Sequence, residues 1–320
     1  MEVAQVITAS ASSATNTNAN DLVGRFHEDC NLRGMVSTMD YIYRAKEYCA
    51  FLVTRGKNPL TSDRDDLRAF LSQLKGRGLK FKTIDRIYSC LSAFYEFLII
   101  EGLVEYNPIL PFRKYYLRRY KNDNDSEIRK LISVEDASRL VNSILDSRDK
   151  CILVVLFKTG MRVGELTSLD VKDVDLDKGE VTLKPKKKRT NRVLFLDNEA
   201  ISVLQRWLAA RKNRMGSEDQ ALFLSKIEKR ITRRSVEEII EKHAERLGMH
   251  NPGTDKLEER FTPHCCRHWF VTHLLRAGMS RDFVKELRGD TRGEAIDIYN
   301  HIDKNELRES YLAHIPQLGI

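Results

Sequence analysis

Five consecutive residues, His264, Cys265, Cys266, Arg267 and His268, bring two imidazoles, two thiols and a guanidinium together. Three chemistries suit such groups: metal binding, packing on a helix, or a grip on an anion. A structural zinc site needs four ligands converging tetrahedrally, usually as two separated pairs. Adjacent helical residues point about a hundred degrees apart, so Cys265 and Cys266 cannot both face a metal alongside His264. No second Cys/His pair occurs, and His243 and His250 are isolated. The context fits a helix instead. Thr262 is a natural N-cap and Pro263 a natural first helical residue, and the run that follows is apolar almost all round. His264 and Arg267 then share one face at a helix N-terminus, where an imidazole and a guanidinium suit a phosphate. Cys265 and Cys266 become core filler.

Three further places carry chemical groups. In "TGMRVGELTSL", Gly160 ends one helix and Arg162 opens another, with Glu165 three residues on; an ordinary surface pair would look the same. In "KPKKKRTNR", Lys184, Lys186, Lys187, Lys188, Arg189 and Arg192 make six basic residues in nine without an acid. Such a run is usually a solvated face, but here it joins two predicted strands, "EVTL" and "RVLFL", and could enter a groove. In "RGDTRGEAIDIYNHID", Tyr299 reads either as a core tyrosine or as a nucleophile. A calcium loop in "DVDLDKG" is excluded, because Lys178 stands where the tight-turn glycine belongs and Lys184 where the closing glutamate belongs.

The elements that must position these residues fill two domains, since 320 residues exceed what one hydrophobic core usually serves. A net charge of +8 favours an anionic partner, although a merely basic soluble protein would share it. The six scattered cysteines form no CxxC pair, as expected of reduced thiols in a cytoplasm. The start "MEVAQVITAS" lacks a basic n-region, and nowhere do eighteen apolar residues run together. A soluble cytoplasmic protein with no membrane partner is expected.

Residues 1–20 are small and polar and are read as a disordered tail. From 21 to 110, apolar residues recur at three- and four-residue spacing, predicting a bundle of about four helices. In one of them Ser62 is the expected N-cap, and Leu67, Phe70, Leu71 and Leu74 form the buried face. Pro108 and Pro111 break the pattern, and 111–127 is read as a basic linker in which Arg113, Lys114, Arg118 and Arg119 alternate with tyrosines. It suits a nucleic-acid backbone, and equally a solvated hinge. Residues 128–320 are α-rich with a small antiparallel sheet, including a helix from Ser133 to about Leu145 and another capped by Asp197.

In chain order, Arg162, the basic turn with Lys186, His264-x-x-Arg267, and Tyr299 within "IYNHI" resemble the active-site signature of tyrosine recombinases, the phage-integrase and Xer family. Lys186 lies 24 residues after Arg162 and Tyr299 lies 32 after Arg267, and the likeness spans about 21–315. The "RGD…DIYNHID" ending resembles archaeal integrases most. The resemblance implies a mainly α fold with a small antiparallel β-sheet: a SAM-like helical core-binding domain followed by the catalytic domain.

It also implies a site-specific DNA recombinase acting as a tetramer on double-stranded recombination sites at the nucleoid. Tyr299 would attack the phosphodiester, giving a 3′-phosphotyrosyl link and a free 5′ hydroxyl, with bond energy conserved for rejoining. Arg162 and Arg267 would clamp the nonbridging oxygens, a task that otherwise falls to metal ions, so neither a metal nor another cofactor is expected. Lys186 would protonate the leaving oxygen, with Lys184, Lys187 and Lys188 close enough to compete. Glu165 would hold Arg162, and His264 would hydrogen-bond the phosphate and assist Tyr299, whose ordinary pKa of about 10 makes it a poor nucleophile unaided.

One position departs from the pattern. Nine residues before the tyrosine, where most of the family has histidine, stands Asp290; it is expected to pair with Arg267 or Arg292, or to cap a helix. In the amphipathic tail, Tyr311, Leu312, Ile315 and Leu318 would dock on a neighbouring protomer or on their own domain. The rival readings are a type IB topoisomerase, with the same tyrosine chemistry, and a DNA-binding protein whose site has decayed at Asp290.

Overall fold

The computed structural model describes residues 19–320 apart from 36, 118–129, 186–190, 214–219, 255 and 290–301. The chain divides between Asn124 and Asp125 into two compact units. The first holds α1 (Ala19–Leu32), α2 (Thr38–Val53), α3 (Arg64–Gly76), α4 (Phe81–Ile100) and α5 (Ile109–Tyr116). Helix α4 buries Ile84, Ile87, Tyr88, Leu91, Phe94, Tyr95 and Leu98, a stripe at helical spacing. Phe26 of α1 packs on Phe94 and Phe97, with ring centroids 5.1 and 5.4 Å away.

Two expectations need correction here. Helix α3 does bury Leu67, Phe70, Leu71 and Leu74, but its cap is Asp63 rather than Ser62. Asp63 Oδ1 accepts from the Asp65 and Asp66 amides at 2.8 and 3.0 Å, and Asp66 Oδ2 accepts in return from the Asp63 amide at 3.0 Å. A carboxylate at this position satisfies two orphan donors at once, while the Ser62 hydroxyl pairs with that of Tyr48. Nor does the segment after Pro108 begin as a linker. It continues as α5, because Pro108 is its N-cap and Pro111 falls within the first turn, where a missing N–H interrupts no helical bond. Phe112 stacks on Tyr88 and on Tyr116, and Arg113 pairs with Asp85 at 2.9 Å. Lys114 is exposed; Arg118 and Arg119 lie outside the described residues.

The second unit contains α6 (Val134–Asn142), α7 (Ser147–Thr159), α8 (Val163–Leu166), β1 (Val174–Asp175), β2 (Glu180–Thr182), β3 (Val193–Phe195), α9 (Asn198–Lys212), α10 (Arg233–Arg246), α11 (Pro263–Arg276), α12 (Arg281–Arg288) and α13 (Lys304–His314). The strands form an antiparallel sheet in the order β1-β2-β3. Strand β1 has two residues, too few to show the period-two alternation that betrays a strand. Helix α7 is the central post: α6, α9, α10 and α11 pack around it, and its buried residues run without a break from Cys151 to Thr159. That explains an apolar run with no polar face. As expected, Asp197 caps α9; the helix expected from Ser133 to about Leu145 runs over Val134–Asn142, with Ser133 as its cap.

The tail closes on its own domain. Tyr311, Ile315 and Leu318 are buried there, whereas Leu312 is 42% exposed. The Tyr311 hydroxyl donates to the Lys158 carbonyl at 2.9 Å, and the Leu318 amide donates to Glu199 Oε2 at 2.8 Å. Among the described residues, no helix is long and apolar enough to cross a membrane.

Candidate active site

Arg162 reaches the site because of the glycine two residues before it. Gly160 ends α7 at φ +57°, a left-handed conformation that glycine adopts without the cost other residues bear. The Phe270 ring lies against the spot where a side chain would begin, so only glycine fits. The chain turns there, and Arg162 precedes the short α8. Its amide donates to Glu165 Oε2 at 2.7 Å and its Nη1 to Oε1 at 3.3 Å, while Glu165 is buried. The carboxylate therefore holds both backbone and guanidinium of Arg162.

Helix α11 supplies the other pair. Its apolar faces bury Cys266, Trp269, Phe270 and Leu274, and the Trp269 ring meets Phe157 of α7 edge-on at 4.9 Å. Anchored this way, Arg267 is only 5% exposed and donates from Nη1 to the Gly160 carbonyl at 2.7 Å and from Nη2 to the Arg288 carbonyl at 3.0 Å. Gly160 thus turns the chain towards Arg162 and pins Arg267 with its own carbonyl. His264, one turn earlier on α11, is exposed. Arg162, His264 and Arg267 line one open pocket of about 400 Å³, together with Gly164 and Arg233.

The cysteines are filler. Both are buried free thiols, and burial pushes the Cys266 thiol well above its ordinary range, which leaves it neither a nucleophile nor a ready ligand. Cys265 Sγ instead accepts from the Thr262 amide at 3.4 Å.

At the foot of the basic turn, Lys184 Nζ donates to Asp170 Oδ2 at 2.6 Å, and Arg230 Nη2 donates to Oδ1 at 2.5 Å. Lys184 first, and Arg230 with it, hold the Asp170 carboxyl below the usual range against the opposing effect of burial. Arg192 donates from Nε to the Leu183 carbonyl at 2.9 Å. These two bases secure the ends of the turn. Lys186, Lys187, Lys188 and Arg189, together with Asp290 and Tyr299, lie outside the described residues. Sequence reasoning missed Arg233: no spacing or motif marks it, and only the packing of α10 on α8 brings it to the pocket.

A larger recess of about 540 Å³ lies elsewhere in the second unit, beside Arg148 and Asp149. Those two charges are buried and paired with each other, Asp149 also with His243, and the recess shares no lining residue with the Arg162 pocket.

Comparison with known proteins places the chain in a family. The phage integrase family model matches residues 124–306, and the phage integrase N-terminal SAM-like domain matches 19–102. Tyrosine recombinase XerC of Thermodesulfovibrio yellowstonii is 30% identical over 255 residues, 77% of this chain and 79% of that protein. Tyrosine recombinase XerC of Roseiflexus castenholzii is 32% identical over 250 residues, 75% of this chain and 74% of that protein. Among solved structures, the Tn1549 transposon integrase in complex with transposon right end DNA superposes with a TM-score of 0.66 at 19% identity, covering 90% of this chain and 97% of that one. A lambda integrase dimer bound to a COC′ core site gives 0.65 at 16%, covering 93% and 83%; at these identities both speak for the fold alone. With sequence relatives this similar across three quarters of its length, the chain belongs to the phage integrase family and is a site-specific tyrosine recombinase.

Proposed function

We propose that this protein cleaves and rejoins double-stranded DNA at specific sites through a 3′-phosphotyrosyl link to Tyr299. The observation that carries this reading is the convergence of Arg162, His264 and Arg267 on one open pocket, from two elements a hundred residues apart. Two guanidiniums there match the charge that builds on the nonbridging oxygens in the transition state, and an exposed imidazole can hydrogen-bond the phosphate. Tyr299 supplies the nucleophile, and Asp290 buttresses an arginine of the site. Residues 21–110 act as the core-binding domain and 128–320 as the catalytic domain. Lys114, Arg118 and Arg119, with the basic turn, meet the DNA backbone. Arg113 is engaged by Asp85 and contributes less.

The protein works in the cytoplasm at the nucleoid, as a tetramer on two sites. With Tyr311, Ile315 and Leu318 buried on their own domain, a tail-mediated contact between protomers requires the tail first to leave Lys158 and Glu199.

The test is covalent trapping on nicked and supercoiled DNA carrying the flanking sequence of its own element, in excess EDTA. An SDS-resistant adduct, mapped by proteolysis and mass spectrometry to Tyr299, is the expected result. Tight, salt-sensitive binding without any adduct would move the protein to the DNA-binding reading. Relaxation of supercoils without exchange between two sites would move it to the topoisomerase reading.

A second expectation separates the lysines. Lys184 is committed to Asp170, which supports Lys186, the lysine at the family's spacing, over Lys184 as the proton donor. Lys186→Ala should slow cleavage by about a hundred-fold and be rescued by a 5′-phosphorothiolate leaving group, which needs no proton. Lys184→Ala should cost about 1 kcal/mol of stability, because Arg230 stays on Asp170, and change the rate little. Single-turnover assays on both substrates decide; the reverse pattern would assign the proton to Lys184.

A further inference from the structure

Arg233 is the first residue of α10, a 14-residue helix capped by Thr232, whose hydroxyl accepts from the Ser235 amide at 3.1 Å. Its guanidinium lies across Gly164. A methyl group added there would stand 2.5 Å from Nη2 and 2.7 Å from Cζ and Nε. Arg233 therefore approaches as closely as it does because residue 164 has no side chain. The result is a third guanidinium lining the pocket of Arg162, His264 and Arg267.

The neighbouring arginines of α10 and its entry are neutralised. Arg230 pairs with Asp170 at 2.5 Å and Arg234 with Glu238 at 2.9 Å. Arg233 is exposed and, among the described residues, has no carboxylate partner. Holding an uncompensated cation beside two others is electrostatically unfavourable until an anion enters. The sequence adds a second reason for a further donor. Asp290 stands where the resemblance to the family implies a histidine, and an ionised carboxylate accepts hydrogen bonds but donates none.

We propose that Arg233 is a third phosphate-binding arginine of this active site, contacting a nonbridging oxygen of the scissile phosphate with Arg162 and Arg267. The proposal rests on the recombinase reading above. It extends the site from α8 and α11 to α10, so the helix carrying Arg233 becomes part of the catalytic apparatus.

The probe is a nicked duplex that wild type cleaves, made with either an ordinary scissile phosphate or a methylphosphonate, in which a neutral methyl replaces one charged oxygen. On the ordinary substrate Arg233→Ala should slow single-turnover adduct formation by about a hundred-fold, as for loss of one transition-state donor. Arg233→Lys should lose about ten-fold, keeping the charge without the fork. On the scissile methylphosphonate, the Arg233→Ala deficit should shrink to within about three-fold, because the charge to be neutralised has gone. Gly164→Ala, which displaces the guanidinium, should slow wild type but add little to Arg233→Ala. Equal rates for wild type and Arg233→Ala would overturn the proposal. So would a deficit that persists on the scissile methylphosphonate and vanishes only when the methyl sits on a flanking phosphate. Thermal melting checks that each variant is folded. Wild type that never forms an adduct would instead sink the recombinase reading itself.

Discussion

Tyr299→Phe is expected to abolish covalent attachment to DNA while leaving affinity for the site within about two-fold, and Arg267→Ala to lose about a thousand-fold in cleavage rate. The two losses have different causes. Phenylalanine removes the oxygen that forms the new bond, so no slower route through that residue exists. Arg267→Ala leaves the nucleophile in place but removes a fork held ready for the transition state, where charge accumulates on the phosphate. It should also cost stability. Arg267 is buried and bridges the Gly160 and Arg288 carbonyls, and leaving them without a donor costs about 1–3 kcal/mol each. Arg267→Lys keeps a positive charge but cannot reach both carbonyls and a phosphate with planar geometry; it should recover stability more than rate. Single-turnover cleavage beside thermal melting separates the two effects. Cleavage by Tyr299→Phe at any measurable rate would assign the nucleophile elsewhere, and an Arg267→Ala variant as fast as wild type would remove Arg267 from the chemistry.

Lys158→Ala is expected to destabilise the second unit by about 3–5 kcal/mol, the usual consequence of removing one partner from a buried ion pair. Lys158 is fully buried on α7 and donates to Asp197 at 2.5 Å and to the Pro316 carbonyl at 2.7 Å, with Glu199 at 2.6 Å. This cation joins the central helix, the start of α9 and the tail. Without it, two carboxylates face each other with little water to separate them. Glu199 links the same cluster to pH. Burial alone would raise its carboxyl, but Lys158 and the Leu318 and Ile320 amides outweigh burial and lower it beneath the ordinary 4.5. Because the folded-state value is depressed, this stabilisation is fully present above about pH 4.5 and is lost as pH falls through the folded value. Urea denaturation of wild type and Lys158→Ala at pH 7 and pH 4 gives the comparison. The variant should be much weaker at pH 7, and its remaining stability should depend less on acid. A variant melting with wild type would mean the tail is held by its apolar contacts alone.

Local chemistry was legible wherever neighbours in sequence act on each other. Arg162 and Glu165 meet across one turn, and His264 and Arg267 share a helix face three residues apart, so spacing alone pairs them. Helix periodicity likewise revealed the bundle and the buried face of α3, and Asp197 is a cap by its chemistry. Local signals were weaker where two caps or breakers compete. Asp63 displaced Ser62 because it satisfies two amides, and the prolines of α5 sit where helices tolerate them. The family likeness, too, came from the order of a few polar residues along the chain. What only the tertiary structure decided are the contacts between distant segments. The Gly160 carbonyl holds Arg267 from 107 residues away, and Lys158 meets the tail 158 residues on. Arg233 enters the pocket because a glycine on another helix lets it approach. Such contacts depend on which helix packs against which, and that is settled by burial of the whole core around α7 rather than by any motif.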